Sequence, residues 1–200
     1  MNMAIKCVIF DVGGVLTKEN IDKVHQSLNK DLGKKVFDRK DKLHRKALLG
    51  KLSEKDFFRA LSKKHMIPAR YLASISDARY PEIVRNNEDV LGIARRARRN
   101  GYRICILSNV TYQHKRHNKA MGLYKDFHGK ILSCDAGAIK PHKRIFKIAL
   151  EKLGAKPEEC IYIEDRKEFL GTSRKLGMNG IHFRNAKQLR RDLKKFGVKI

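Results

Sequence analysis

Apolar residues in this chain follow two rhythms. Short branched runs recur at Cys7-Val8-Ile9-Phe10, Tyr102-Arg103-Ile104-Cys105-Ile106-Leu107, Cys160-Ile161-Tyr162-Ile163 and Gly180-Ile181-His182-Phe183, with a weaker one at Lys130-Ile131-Leu132. Their length and β-branched content predict buried strands. Between them the apolar positions fall at three- and four-residue spacing. Ile145, Phe146, Ala149, Leu150 and Leu153 share one helical face, with Pro141 opening the helix and Gly154 lying past its end. Further helices are expected from Asp89 to Arg99, from Thr111 to Met121 with Gly122 closing it, up to about Leu176, and from Ala186 onward. Strands alternating with helices in this way predict an α/β fold, a doubly wound parallel sheet.

The stretch between the first two runs reads differently. Ile21, Val24, Leu28 and Leu32 fall on one helical face that Gly33 ends, and Leu43, Ala47 and Leu48 suggest a second helix closing at Gly50. Ser53-Glu54-Lys55-Asp56 resembles a capping box ahead of Phe57, Phe58 and Leu61. A fourth helix runs from Tyr71 to about Tyr80, with Pro81 marking the way out. The expected organisation is a core made of residues 1–16 and 87–200, interrupted by a small all-helical insert at 17–86.

Composition narrows the class. A chain of 200 residues is long enough for one compact core plus an insert. It has no apolar run near the roughly 18 residues of a membrane span, and Met1-Asn2-Met3-Ala4-Ile5-Lys6 lacks the pattern of a cleaved leader. A soluble, cytoplasmic protein without a membrane partner is expected. Cys7, Cys105, Cys134 and Cys160 are scattered without C-x-x-C spacing, which indicates neither zinc nor a disulfide framework. Lysine and arginine total 46 against 21 acids, a formal charge of +25, so phosphorylated substrates, nucleic acid or acidic partners are favoured. The cations sit on helix-like segments such as Arg95-Arg96-Ala97-Arg98-Arg99 and Arg190-Arg191-Asp192-Leu193-Lys194-Lys195, the pattern of a solvated face, and aromatic residues are not interleaved with them.

Four polar elements each follow a strand-like run: Asp11, Ser108-Asn109, Lys140 and Glu164-Asp165. Taken alone, Asp11 before a glycine pair also reads as an ordinary Asx-turn. Right-handed crossovers would bring all four to one edge of the sheet, where ligands bind in open α/β folds. A carboxylate, a hydroxyl, an ammonium and an acidic pair suit a phosphate and a divalent metal. Asp11 could attack phosphorus to give an aspartyl-phosphate while Mg²⁺ bridges it to the phosphoryl oxygens. Asp165 would complete the oxygen shell of that hard cation, and Ser108 and Lys140 would take the remaining phosphoryl oxygens.

These residues resemble the motifs of the haloacid dehalogenase superfamily, mostly phosphatases. Asp11-Val12-Gly13-Gly14-Val15 matches its first motif, Leu107-Ser108-Asn109 its second, Ile139-Lys140-Pro141 its third and Ile163-Glu164-Asp165 its fourth, so the resemblance spans nearly the whole chain. The helical insert is similar to the cap of subfamily I, and Gly50-Lys51-Leu52-Ser53 with Phe57 looks like the start of that cap's third helix. The resemblance implies Asp11 as nucleophile and Ser108, the Asn109 backbone and Lys140 as phosphate-binding groups. It also implies a Mg²⁺ site made by Asp11, the Gly13 carbonyl and Asp165, with Glu164 acting through water or from behind. The cap would exclude water and choose the substrate.

Three departures from the pattern matter. Family phosphatases carry a general-acid aspartate two residues after the nucleophile, where this chain has Gly13. Losing a positioned acid costs roughly 10²–10⁴-fold, so slow turnover or a preference for good leaving groups is expected. His25 and His44 are the cap groups that titrate near neutrality, but solvated helix faces are the expected place for both. Val15 replaces a common threonine, and Phe169 stands where an asparagine often supports the metal shell. The expected activity is Mg²⁺-dependent hydrolysis of a small phosphorylated metabolite. The alternative is a catalytically weak protein of the same fold that binds nucleic acid or a phosphorylated partner through its basic surface. A haloacid dehalogenase is less favoured, because two adjacent acids serve a metal and not a halide displacement. Substrate identity and oligomeric state are not legible.

Overall fold

The structure is a computed structural model that describes residues 4–200. Met1, Asn2 and Met3, the first residues of the expected core, lie outside the described residues. Strand β1 (Cys7–Phe10) leads through a wide turn into four helices, α1 (Ile21–Asp31), α2 (Lys42–Leu48), α3 (Glu54–His65) and α4 (Ala69–Ile83). The chain continues through α5 (Glu88–Arg99), β2 (Arg103–Ser108), α6 (Tyr112–Ala120), β3 (Gly129–Leu132), α7 (Ser133–Ala136) and α8 (Lys143–Leu153). It closes with β4 (Cys160–Glu164), α9 (Lys167–Lys175), β5 (Asn179–His182) and α10 (Ala186–Lys195).

The five strands are all parallel in the order β3-β2-β1-β4-β5. Successive side chains of a strand point to opposite faces, and each face is covered by helices. Val8, Phe10, Ile104, Ile106, Ile161 and Ile163 pack with the apolar sides of α5 and α10. Cys7, Ile9, Cys105, Leu107, Cys160 and Tyr162 pack with α8 and α9. From β1 the connections run outward through β2 to β3 on one side, then return to β4 and β5 on the other. The order therefore reverses between β1 and β4, which is where an open α/β sheet forms its ligand crevice. Among the described residues no helix is long and apolar enough to cross a membrane.

Helices α1–α4 form a cap with its own apolar cluster, including Val24, Leu28, Phe57, Phe58, Leu61 and Leu72. Ser53 caps α3 as its sequence suggests, accepting from the Asp56 amide at 3.1 Å. Pro81 does not end α4, which runs on to Ile83. A proline in the last turn forfeits one backbone bond, and the Val84 amide still closes the helix on the Tyr80 carbonyl at 2.8 Å. Pro141 likewise does not open α8: the helix starts at Lys143, with His142 as its N-cap.

Two linkers join cap to core, and they are clasped together: Thr17 and Asn86 form an antiparallel bridge, and the Lys18 amide donates to Arg85 at 2.9 Å. The cap rests on α6. The Tyr80 ring stacks on His114 and His117, and its hydroxyl donates to Asn118 at 3.0 Å. Asp77 receives Gln113 at 2.8 Å, Arg116 at 2.7 Å and His117 at 2.9 Å. Gly50 sits with positive φ against the Cys134 carbonyl, where any Cβ would collide with that oxygen. Arg96, Arg98 and Arg99 of α5 are exposed, Arg98 donating to the Asp126 carbonyl, and Arg95 is paired with Glu88 and Asp126.

His25 and His44 depart from expectation. They are buried rather than solvated, 7% and 4% exposed, and form a contiguous series with His114, at ring separations of 5.1 and 6.4 Å. Their helical faces are turned inward by Phe37 and Phe57, which pack against them. Burial pushes the His25 imidazole down to about 3 and that of His44 to about 4, and holds His114 well below its ordinary range. Each group titrates near 6.5 when unfolded, so below that pH the unfolded chain binds more protons and stability falls. We expect acidification from pH 7.5 to 5 to cost wild type on the order of 2 kcal/mol more than His44→Gln, measured by urea unfolding at both pH values. Equal losses in the two proteins would show that His44 is not held neutral.

Candidate active site

Asp11 is set by the end of the central strand. Its amide donates to the Ile163 carbonyl of β4 at 3.0 Å, so the backbone is still sheet-like at the point where the side chain leaves the edge. The chain then makes a wide turn from Val12 to Leu16, closed by the Thr17 amide and hydroxyl on the Val12 carbonyl at 2.9 and 3.1 Å. Gly14 is required twice in that turn. Its φ is +74°, and a Cβ there would lie 2.5 Å from Asp165 Oδ2.

The acidic pair arrives from β4 on the other side of the switch point. Glu164 is fully buried, whereas Asp165 is half-buried. Asp11, Glu164 and Asp165 each offer an oxygen within 4.8 Å of the others. One ammonium, that of Lys140, lies among them, 2.9 Å from Asp11 Oδ1 and 2.7 Å from Glu164 Oε2. The Tyr162 hydroxyl donates to the same Glu164 oxygen, and the Arg166 amide donates to Glu164 Oε1 at 3.2 Å. Glu164 is thus largely occupied in holding Lys140. Asp11 Oδ1 and Asp165 Oδ1 have no hydrogen-bond partner although both are buried; the Lys140 ammonium is near Asp11 Oδ1 without donor alignment.

The electrostatics follow from this crowding. Burial, then the Glu164 charge, push the Asp11 carboxyl up to about 6 against the pull of Lys140 and Ser108. Burial also raises Glu164 and Asp165. Burial alone would lower the Lys140 ammonium, but Asp11 and Glu164 outweigh it and hold the ammonium above its ordinary range. Buried oxygens without donors, on hard carboxylate ligands, are a good fit to a small divalent cation.

Ser108 ends β2 and lines the same cavity as Asp11, Gly13, Asn109 and Lys140. The side chain of Asn109 holds the loop that carries the ammonium: its Nδ2 donates to the Lys140 carbonyl at 3.1 Å, and its Oδ1 accepts from the Lys140 amide at 2.8 Å. The Phe169 ring lies under the Lys140 ammonium at 5.0 Å, and the Arg166 guanidinium is 5.9 Å from it. The residue that sequence reading marked as a lost amide therefore supports the ammonium by a cation–π contact.

The cavity has a volume of about 330 Å³ and is walled by both parts of the chain. From the core come the residues just named; from the cap side come Asn20, Arg39, Lys40, His44, Arg45 and Tyr80. His44 is in place, but an imidazole pushed down to about 4 is uncharged near neutrality and is a poor proton donor there. Gly13 has φ −66° and ψ 123°, and a Cβ added to it would touch only Asn20, at 3.5 Å from its Cβ. Tyr162 and Arg166 were not singled out from the sequence. Tyr162 was legible in principle, because a residue two before Glu164 on a strand shares its face.

The haloacid dehalogenase-like hydrolase family profile matches residues 5–168. Bifunctional epoxide hydrolase 2 of Rattus norvegicus is 32% identical over 114 residues, 54% of this chain and 21% of that protein. Glyceraldehyde 3-phosphate phosphatase of Methanopyrus kandleri is 38% identical over 69 residues, 34% of this chain and 29% of that protein. The chain thus matches less than a third of the length of these curated relatives. Among solved structures, a family enzyme from Bacteroides thetaiotaomicron, in complex with magnesium and inorganic phosphate, superposes with a TM-score of 0.73 at 20% identity, over 90% of this chain and 95% of that one. With the strand order, the polar residues at the sheet edge and a profile match across most of its length, the chain belongs to the haloacid dehalogenase-like hydrolases.

Proposed function

We propose that this hydrolase is a magnesium-dependent phosphatase acting on small phosphomonoesters, with Asp11 as nucleophile. The observation that carries the reading is the convergence of Asp11, Glu164 and Asp165 within 4.8 Å around a single ammonium, with the buried Asp165 Oδ1 left without a donor and Asp11 Oδ1 met only by that ammonium. A phosphatase among the relatives and a magnesium–phosphate complex among the structural neighbours support it. Asp11, Asp165 and the Gly13 carbonyl would hold Mg²⁺, with Glu164 behind them. Bound there, the ion supplies positive charge that draws Asp11 towards its ionised form and offsets charge building on the phosphoryl oxygens.

The residues of the chain divide the rest of the work. An Asp11 oxygen attacks phosphorus, the bond to the ester oxygen breaks, and the alcohol departs as an oxyanion that needs a proton. Ser108, the Asn109 backbone and the Lys140 ammonium bind the phosphoryl oxygens. Water then attacks the phosphorus of the aspartyl-phosphate, releasing phosphate and the Asp11 carboxylate. Gly13 offers no side chain to protonate the departing oxygen, so aryl and acyl phosphates are favoured over alkyl phosphates. Halide displacement from carbon is the weaker reading, since it gives no purpose to the buried Asp165 oxygen that has no donor.

Asp11→Asn should lower kcat for p-nitrophenyl phosphate with Mg²⁺ by at least about 10³-fold, and equal rates would remove Asp11 from the mechanism. Gly13→Asp is sterically allowed and restores a proton donor at the leaving oxygen. It should raise kcat on glycerol 3-phosphate by about tenfold or more, with a smaller gain on p-nitrophenyl phosphate. An unchanged ratio between the two substrates would show that leaving-group protonation does not limit this enzyme.

A further inference from the structure

The cap side of the cavity carries cations that the phosphoryl chemistry does not use. Arg39, Lys40 and Arg45 all line it, joined by Arg166 from the core. Arg39 and Arg166 share one carboxylate, Asp22, at 3.4 and 2.7 Å. Among the described residues, neither Lys40 nor Arg45 has a carboxylate within ion-pair distance. The two other carboxylates lining the cavity mouth do not pair with this group: Glu19 lies 3.7 Å from Lys23, and among the described residues Glu168 has no cation within ion-pair distance. Each guanidinium has five donors in a planar fork, and Asp22 engages only one nitrogen of each arginine. Donor capacity and positive charge therefore remain in the lining of the cavity that also holds Lys140.

We infer that these cap residues form a second anion subsite, and that the substrate is a small phosphomonoester bearing another anionic group, either a carboxylate or a second phosphate. This rests on the phosphatase reading and names the substrate class for it. The cavity of about 330 Å³ sits at the lower end of ligand-pocket sizes, and Lys40 and Arg45 line it as exposed side chains, so a short molecule spans from the phosphoryl site to the cap cations. One end meets Lys140, Ser108 and the carboxylate-held metal; the other meets Arg39, Lys40 and Arg45. A phosphomonoester whose other end is uncharged leaves the cap cations solvated and gains nothing from them. Because Asp22 belongs to the cap and Arg166 to the core, an anion bound beside this pair also adds a contact across the cavity mouth.

The test compares three compounds of similar length: glycerol 3-phosphate, 3-phosphoglycerate and 1,3-propanediol bisphosphate. With Mg²⁺, kcat/KM for one of the two compounds that carry a second anionic group should exceed that for glycerol 3-phosphate by about tenfold or more, mainly through KM. That ratio should fall towards one in Arg45→Met and in Lys40→Met. Which compound wins separates a carboxylate from a second phosphate. Calorimetric titration of the Asp11→Asn protein with the same compounds reads the subsite without turnover, and the preferred compound should bind more weakly when Arg45→Met is added. Equal affinities for all three, or a preference untouched by both cap substitutions, would overturn the inference. Failure of the parent reading shows separately, as absence of phosphate release from p-nitrophenyl phosphate by wild type.

Discussion

The site depends on burying one ammonium among three carboxylates. Lys140 is 3% exposed and Glu164 fully buried, so neither charge has water to fall back on. Removing ions from water costs several kcal/mol each, and only close, well-bonded partners offset it. The fold supplies those partners by topology: β1 and β4 are adjacent but far apart in sequence, and their carboxyl ends deliver Asp11 and Glu164 to the same point. One positive charge does not balance three negative ones; burial is the main reason the carboxyl groups are raised, and at Asp11 the Glu164 charge adds to it. A dication is the natural complement to that excess, because it relieves the repulsion without adding a bulky side chain.

Around this centre the backbone is shaped by close approaches. Gly14 admits the Asp165 carboxylate and Gly50 admits the Cys134 carbonyl, so the wide turn and the cap each meet the core where a side chain would have stood. The cap is held by polar contacts centred on Asp77 and by Tyr80 stacked on two histidines, while its own helices are held by an apolar cluster. Polar contacts at an interface can be exchanged for water at modest cost, whereas apolar ones cannot. Cap and core are therefore each firmly built and joined by the more exchangeable kind of bond.

The strands and three of the polar elements, Asp11, Ser108-Asn109 and Glu164-Asp165, were legible because both rest on local rules: branched apolar runs for the sheet, and polar residues at their ends for its edge. Lys140 does not directly follow a strand as expected, since α7 and a loop separate it from β3. Ser53 was legible as a cap from a local rule too. What depends on partners distant in sequence was not. His25 and His44 carry polar rings on helices whose polar spacing implies solvent, and only Phe37, Phe57 and His114 turn them inward. Phe169 looked like a lost amide, yet three-dimensional neighbours make it a support for Lys140. The continuation of α4 through Pro81 depends on a bond made past the proline. The cations of the cap wall were invisible as a group, since Arg39, Lys40 and Arg45 carry no shared spacing.

The position of β1 at the centre of the sheet bears on how the chain is made. Cys7 pairs with Arg103 on one side and with Cys160 on the other, so the strand that is synthesised first has both neighbours supplied much later. Contacts of such long sequence separation form slowly, and unpaired apolar strands invite association while they wait. On the ribosome, Cys7-Val8-Ile9-Phe10 emerges well before β2 and β4, the strands that pair with it. The helical cap, next in line and carrying its own apolar cluster, is the part able to gain structure during that interval, while the β1 segment waits for its neighbours.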